Sequence, residues 1–199
     1  MRGAVLAGGK ASRFDGRPKG LERVGGERIL DRVVALVRVA TGSMPLLIAN
    51  AGDASSWHPD LQVKPDEYPD CGSLGGIYSA VVAGDGPVLL VAWDMPFLSA
   101  DLLVALVNGA GDHDVFLPQS EGPRGVEPLC GVYGPACREP ILDRLRDEDY
   151  RAIGFHDAVN VGTLPLERVA SFGDPATLFF NVNTAEDLQK AEELWRQYA

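Results

Sequence analysis

Between Ala4 and Leu21 the chain reads AVLAGGKASRFDGRPKGL, a stretch that concentrates the residue types able to hold phosphate. Gly8 and Gly9 follow a short apolar run directly. With no Cβ atoms, the backbone there can approach another group closely. Successive N–H groups of such a loop form a concavity suited to an anion. Lys10, Arg13, Arg17 and Lys19 add four cationic side chains and no aromatic platform. That combination suits a polyphosphate better than a bare sugar or a lipid. Two familiar phosphate loops are absent. The position five after Gly9 is Phe14, which excludes the P-loop, and adjacent glycines do not make the Gly-x-Gly-x-x-Gly fingerprint. The plainer alternative is a strand-to-helix turn with scattered surface charge. The ordered spacing, LAGG, then Arg13, then Lys19-Gly20-Leu21, argues against it.

Three further places carry candidate chemistry. Val88 to Trp93 is a continuous apolar run, the pattern of a central parallel strand covered on both faces. Asp94 ends it, so its carboxylate falls where open α/β sheets bind ligands. Asp94 could instead cap the next helix, but Ser99 suits that role better, with Leu102, Leu103 and Leu106 following. Residues 69–76, PDCGSLGG, form a second Gly-rich loop opening a helix over about Leu74 to Ala83. A helix N-terminus can hold an anion or a carbonyl, whereas the plain reading makes Ser73 its cap. In Asn181-Val182-Asn183, two amides flank one valine and so face the same way in an extended segment. Turn residues before a helix are the alternative there. Thr184 and Asp187 then form a capping-box-like start to the last helix.

The elements that must position these residues alternate. Ala4 to Ala7 reads as the first strand, and Leu21 to Val24 as an extended piece ending at Gly25-Gly26. Ile29, Val33, Leu36, Val37 and Ala40 fall at helical spacing, and Gly42 stops that helix. Leu46 to Ala49 and Leu61 to Lys64 are the next strands. Val115 to Leu117 and Val126 to Tyr133 read as a hairpin or loop-return pair around a polar turn. Pro135 to Arg146 is a helix with proline acceptable in its first turn. Leu164 to Val169 is expected as an edge strand, where Pro165 is tolerated. Leu188, Ala191, Leu194 and Trp195 mark the buried face of the final helix. Strands alternating with helices imply an α/β fold with a mainly parallel central sheet. No repeat or linker interrupts the 199 residues, and one domain over 1–199 is expected.

Bulk properties narrow the class. A hydrophobic content of 46% and a charged content of 23% are those of an ordinary globular chain. The formal net charge of −10 argues against nucleic acid and against an anionic membrane surface as partners. An anionic substrate must then meet a local positive site, which the opening loop offers. The first apolar run is too short for a signal peptide, and nothing approaches a membrane span. Cys71, Cys130 and Cys137 make no CxxC pair, so a disulfide framework is not expected and a cytoplasmic location is the simplest inference. His58, His113 and His156 lack metal-ligand spacing.

LAGGKASRFDGRPKGL, with one residue more between Arg13 and Lys19, resembles the signature LAGGxSxRxGxxKGL of molybdenum cofactor guanylyltransferases. GSLGGI at 72–77 is similar to their GPLGGI, DMPFL at 94–98 to their DMPFL, and NVNTAEDL at 181–188 to their NxNTPEDL. EPLCGVY resembles a family segment on the cofactor side of the site. Asp15 stands where the family has Gly, and Pro18 where it often has Asp; both flank the key residues. The resemblance implies a three-layer, Rossmann-like nucleotidyltransferase fold. It also implies an enzyme that transfers GMP from GTP to the terminal phosphate of molybdopterin, with Mg²⁺ as cofactor. Lys19, Asp94 and Arg13 take catalytic roles, with Asp94 also holding the metal. Leu6, Ala7, Gly8, Gly9, Lys19, Asn50, Asp66 and Asp94 would line the GTP site, and Asn181, Asn183 and Arg151 the molybdopterin side. Transient contact with molybdenum cofactor-handling or molybdoenzyme proteins follows from the same likeness. Relatives using CTP tend to carry LAAG, so LAGG favours GTP. A cytidylyltransferase or sugar-phosphate nucleotidyltransferase is the enzyme alternative. A non-catalytic nucleotide-binding regulatory module is the alternative of another class, and Lys19 together with Asp94 weighs against it.

Overall fold

The computed structural model describes residues 1–8 and 18–198. Gly9, Lys10, Arg13 and Arg17 of the opening loop therefore lie outside the described residues. The central sheet has seven strands in the order β5-β4-β1-β6-β8-β7-β9. These are β1 (Arg2–Leu6), β4 (Leu46–Ile48), β5 (Gln62–Lys64), β6 (Val88–Ala92), β7 (Val115–Pro118), β8 (Cys130–Tyr133) and β9 (Val161–Leu164). Strand β8 runs antiparallel to both its neighbours, and every other pairing is parallel. A two-stranded hairpin, β2 (Arg23–Val24) and β3 (Glu27–Arg28), stands apart from it.

Side chains alternate across the sheet and build a core on each face. Val5 and Ala7 of the first strand, with Leu89 and Val91 of β6, face one layer. That layer holds α1 (Ile29–Thr41), α3 (Ala100–Gly109) and Ala191 of α7 (Ala185–Tyr198). Ala4, Leu6, Val88 and Leu90 face the other, against α2 (Gly72–Val82) and α4 (Arg138–Arg146). Central strands buried on both faces are apolar along their buried length, which is why GAVL of β1, after half-buried Arg2, and VLLVA of β6 read as continuous runs. Three layers with a mainly parallel sheet are the architecture the sequence implied.

Several local expectations hold in detail. Gly42 ends α1 at φ 73°, and its N–H donates to the Arg38 carbonyl at 2.9 Å. Ser99 caps α3, its Oγ accepting from Leu102 N at 3.1 Å. Thr184 and Asp187 exchange hydrogen bonds at 2.9 and 3.1 Å, completing the capping box of α7. The antiparallel pairing of β7 with β8 is the expected hairpin. Among the described residues no helix is long and apolar enough to cross a membrane.

Two expectations are corrected. Ser73 does not cap α2. Asp70 and Gly72 adopt φ of 65° and 61°, which turns the chain into the helix early and puts Ser73 inside its first turn. The last edge strand is Val161–Leu164, not 164–169. Pro165 offers no N–H to the ladder and instead precedes α5 (Leu166–Ala170), whose first N–H is accepted by Gln119 Oε1 at 2.9 Å. A short helix, α6 (Pro175–Leu178), separates α5 from α7.

The direction of strand placement reverses between β1 and β6. From β1 the chain adds β4 and β5 on one side, and β6 begins the other. The crevice beyond the carboxyl ends of these two strands is the topological switch point. Gly8 follows one strand and Asp94 the other. The capping assignments can be checked by urea denaturation: Ser99→Ala is predicted to cost about 1 kcal/mol. Ser73→Ala is predicted to change stability by less than about 0.5 kcal/mol.

Candidate active site

The polar centre of the crevice is a three-residue contact. Lys19 Nζ donates to Asp94 Oδ2 at 2.5 Å and to Asn183 Oδ1 at 2.8 Å. The three arrive from distant parts of the chain, and backbone contacts set each in place. Asp94 follows β6, and the Trp93 N–H before it donates to the Leu6 carbonyl at 3.2 Å. Val182 N donates to the Asp94 carbonyl at 2.9 Å, tying the asparagine segment to the end of β6. Asp187 Oδ2 accepts from the N–H groups of Asn183 and Thr184, both at 2.9 Å, and so orients Asn183. Lys19 begins a 3₁₀ turn through Leu21, and Gly20 lies against the Trp93 indole with no room for a Cβ.

The Asp94 side chain is only 9% exposed and that of Lys19 19%. A buried carboxylate is costly unless it is paired and hydrogen-bonded. Lys19 satisfies Oδ2, but Oδ1 is buried with no partner among the described residues. An unpartnered, acceptor-only oxygen in a crevice fits a divalent cation. No cluster of three or more His, Cys, Asp or Glu suited to a metal occurs among the described residues. A lone carboxylate of this kind suits a hard divalent cation that completes its shell with substrate oxygens and water.

A second polar pair closes the ends of β4 and β5. Asn50 Nδ2 donates to Asp66 Oδ2 at 2.9 Å, and Asp66 N donates to Asn50 Oδ1 at 2.8 Å. Burial raises the Asp66 carboxyl above its ordinary range, and the hydrogen bond from Asn50 offsets part of that rise. Asp66 Oδ1 is a buried acceptor with no partner among the described residues. Leu6 and Ala7 spend their backbone groups on the sheet, Ala7 N donating to the Ile48 carbonyl at 2.9 Å. Exposed Gly8 is thus the first residue past the sheet edge. Gly76 of α2 sits against the Leu6 side chain without room for a Cβ, so the second Gly-rich stretch brings α2 close to the end of β1.

The remaining candidates lie elsewhere. Asn181 Nδ2 donates to the Phe179 carbonyl at 2.8 Å, within its own segment, and does not join Lys19. Arg151 is 75% exposed and makes a two-bond pair with Asp149 at 2.7 and 2.6 Å. It lines an open cavity of about 930 Å³ with Ser73, Arg124, Tyr150 and Asp157. Arg13 and Gly9 are outside the described residues.

Glu127 was missed. Residues 127–129 return towards β6, where Ala92 N donates to the Leu129 carbonyl at 2.8 Å. Burial raises the Glu127 carboxyl; the Leu129 N–H and Arg124 pull it down, and repulsion from Asp94 raises it further. Glu127 Oε1 accepts from Leu129 N at 3.0 Å. EPLCGVY pointed to this segment without singling out Glu127, which the Ala92–Leu129 hydrogen bond sets near the end of β6.

Residues 3–159 match the MobA-like NTP transferase domain. The chain belongs to this family. A molybdenum cofactor guanylyltransferase of Desulfosudis oleivorans is 31% identical over 194 residues, covering 96% of this chain and 94% of the relative. One of Nitrobacter hamburgensis is 32% identical over 200 residues, covering 97% and 93%. The solved molybdopterin-guanine dinucleotide biosynthesis protein A of Archaeoglobus fulgidus superposes with a TM-score of 0.81 at 24% identity. It covers 99% of this chain and all of that one, and shares the fold. The α/β nucleotidyltransferase fold and the family expected from the motifs are both borne out.

Asp66 carries a testable cost. Its raised carboxyl means that the folded state holds the proton more tightly than the unfolded state. The penalty is therefore present at neutral pH and disappears as pH falls below the ordinary value of 3.8. Asp66→Asn should melt at or above the wild-type temperature at pH 7, and that advantage should vanish in acid; paired thermal melts across pH measure it.

Proposed function

We propose that this chain transfers GMP from GTP to the terminal phosphate of molybdopterin, releasing pyrophosphate and forming the guanine dinucleotide cofactor. The observation that carries the reading is the Lys19–Asp94–Asn183 contact at the switch point. Relatives above 30% identity named for this activity support it.

The residues suit a reaction between two anions. The attacking phosphate oxygen is already charged, so no general base is needed. It forms a bond to the α-phosphorus of GTP as the bond to the pyrophosphate oxygen breaks. Catalysis then consists of positioning and charge neutralisation. Exposed Gly8 offers backbone at the sheet edge for the phosphates. Asp94 would hold Mg²⁺, which supplies charge neutralisation on the phosphates and the leaving pyrophosphate. The apo ion pair suits an exchange of partners: the Lys19 ammonium turns to phosphate while the Asp94 charge stays balanced. Asn183 would steady Lys19 through that exchange. Arg151 and Arg124, in the open cavity, would receive the acceptor, and Asn181 would lie on the same side. Arg13 remains a proposed aid to charge neutralisation.

Base choice draws support from Asp66. Its Oδ1, without a partner among the described residues, is an acceptor when the carboxylate is ionised. Guanine presents two adjacent donors, N1–H and the N2 amine, whereas cytosine presents the acceptors N3 and O2 with a single amine. Asn50 orients this carboxylate. We assign the chain to the cytoplasm, where GTP is available, with molybdenum cofactor-handling proteins as transient partners delivering the acceptor.

GTP is predicted to bind at least about tenfold tighter than CTP, roughly 1.4 kcal/mol. Calorimetric titration with Mg²⁺ checks it, and equal or better CTP binding would overturn the guanylyl assignment. Lys19→Ala is predicted to slow single-turnover GMP transfer roughly a hundredfold, about 2.7 kcal/mol, with a much smaller loss of GTP affinity. Weakened binding with an unchanged chemical step would remove Lys19 from catalysis.

A further inference from the structure

We infer that Arg32 and Trp195 form a positioning node that sets Lys19, Asp94 and Asn183 relative to one another during GMP transfer; this rests on the function proposed above.

Each member of the contact sits on a chain segment that returns to Arg32. Lys19 leads into the β2–β3 hairpin, and Arg32 Nη2 donates to the Val24 carbonyl in that hairpin at 2.9 Å. Asp94 leads into Met95-Pro96, and Arg32 Nη1 donates to the Pro96 carbonyl at 3.2 Å. Asn183 leads into α7, whose Trp195 ring lies 4.1 Å from the Arg32 guanidinium carbon. Arg32 Nε donates to Glu27 Oε2 at 3.0 Å, back on the hairpin. The side chain is only 11% exposed. One rigid guanidinium thus reaches all three segments on its fork and its face.

The hairpin needs such a node. Two strands of two residues are not stable alone in water. Trp195 also covers Gly25, which has φ 62° and no room for a Cβ, and Glu192 Oε1 accepts from Gly25 N at 2.9 Å. Phe97, next after Pro96, stacks on Trp195 with ring centroids 6.4 Å apart. Helix α7 therefore holds the Lys19 segment at two points: Asn183 at its start and Trp195 near its end. Residues 160–199 lie beyond the span of the matched family domain, so the helix that closes this node is supplied from outside it.

The hydrogen bonds of Arg32 go to Glu27, Pro96 and Val24, and the Trp195 ring meets Arg32 and Phe97, so both act on Lys19, Asp94 and Asn183 through others. The variants are Arg32→Lys, which keeps the charge and loses the fork, and Trp195→Leu, which keeps apolar bulk and loses the ring. Single-turnover GMP transfer and GTP dissociation constants are measured for each, in the wild-type and Asn183→Ala backgrounds. Acetylation of the Lys19 amine by acetic anhydride is followed by mass spectrometry with Lys64 as internal reference, independently of activity. The expected result is a roughly tenfold or greater rate loss with GTP affinity held within about twofold, since small misplacement is costly to chemistry. The loss should shrink to under about threefold in the Asn183→Ala background, because coupled residues are not additive. Lys19 should acetylate faster in both variants while Lys64 does not change. An undiminished loss in the Asn183→Ala background, or an unchanged Lys19 acetylation rate, overturns the node. A wild-type chain that transfers no GMP overturns the proposed function, and the acetylation rates then decide the node alone. If Arg32→Lys fails to fold, the Trp195→Leu rates decide it.

Discussion

A carboxylate buried at the end of a central strand must be balanced, and the surroundings of Asp94 follow from that constraint. Sheet and helix layers take Asp94 almost out of water, and the Lys19 ammonium supplies the opposite charge. The pair is only as good as its geometry, since a poorly placed partner would leave the desolvation of both charges uncompensated. Gly20 can lie against Trp93 only because it lacks a Cβ, which lets Lys19 come down to the carboxylate. Asn183 Oδ1 accepts a further hydrogen bond from Lys19, and Asp187 holds the Asn183 backbone.

The same arrangement makes a site. A charge pair with one carboxylate oxygen left without a partner among the described residues is stable enough to fold and suited to accept a cation and phosphates. The Asp66–Asn50 pair repeats this logic at the ends of β4 and β5, where an acceptor is buried but unfilled. Each orphaned oxygen costs stability, a cost that functional sites commonly carry. Strand order puts both at the carboxyl end of the parallel strands: Asp66, after β5, pairs with Asn50, after β4, on one side of β1, and Asp94 follows β6 on the other.

Much of this was written in local sequence. Continuous apolar runs identified β1 and β6 because strands covered on both faces admit no polar side chain. Gly42, Ser99 and the Thr184–Asp187 box marked helix ends because unpaired N–H and C=O groups have few short-range solutions. Lys19, Asp94 and Asn183 were legible one at a time, from residue type and position after a strand or before a helix. Local rules failed where two solutions compete. Ser73 has the side chain of a cap, but the left-handed turns at Asp70 and Gly72 start the helix before it. Val161–Leu164 and Leu166–Ala170 share one apolar stretch, which Pro165 divides.

By itself the sequence determined the fold class, the family and the residue types of the site, because those depend on periodicity and on motifs whose spacing is short. Tertiary structure alone decided which residues meet. Glu127 comes to the end of β6 only through the antiparallel return of β8. Asn181 and Asn183, equivalent in sequence, separate into a local hydrogen bond and a contact with Lys19. Arg151 pairs with Asp149 in a cavity of its own. Arg32 reads as one polar position on an amphipathic helix, yet it joins Val24, Pro96 and Trp195. Which of these partners meet leaves no periodic trace in the chain. They exist only once the strand order and the layers on either face have brought the segments together.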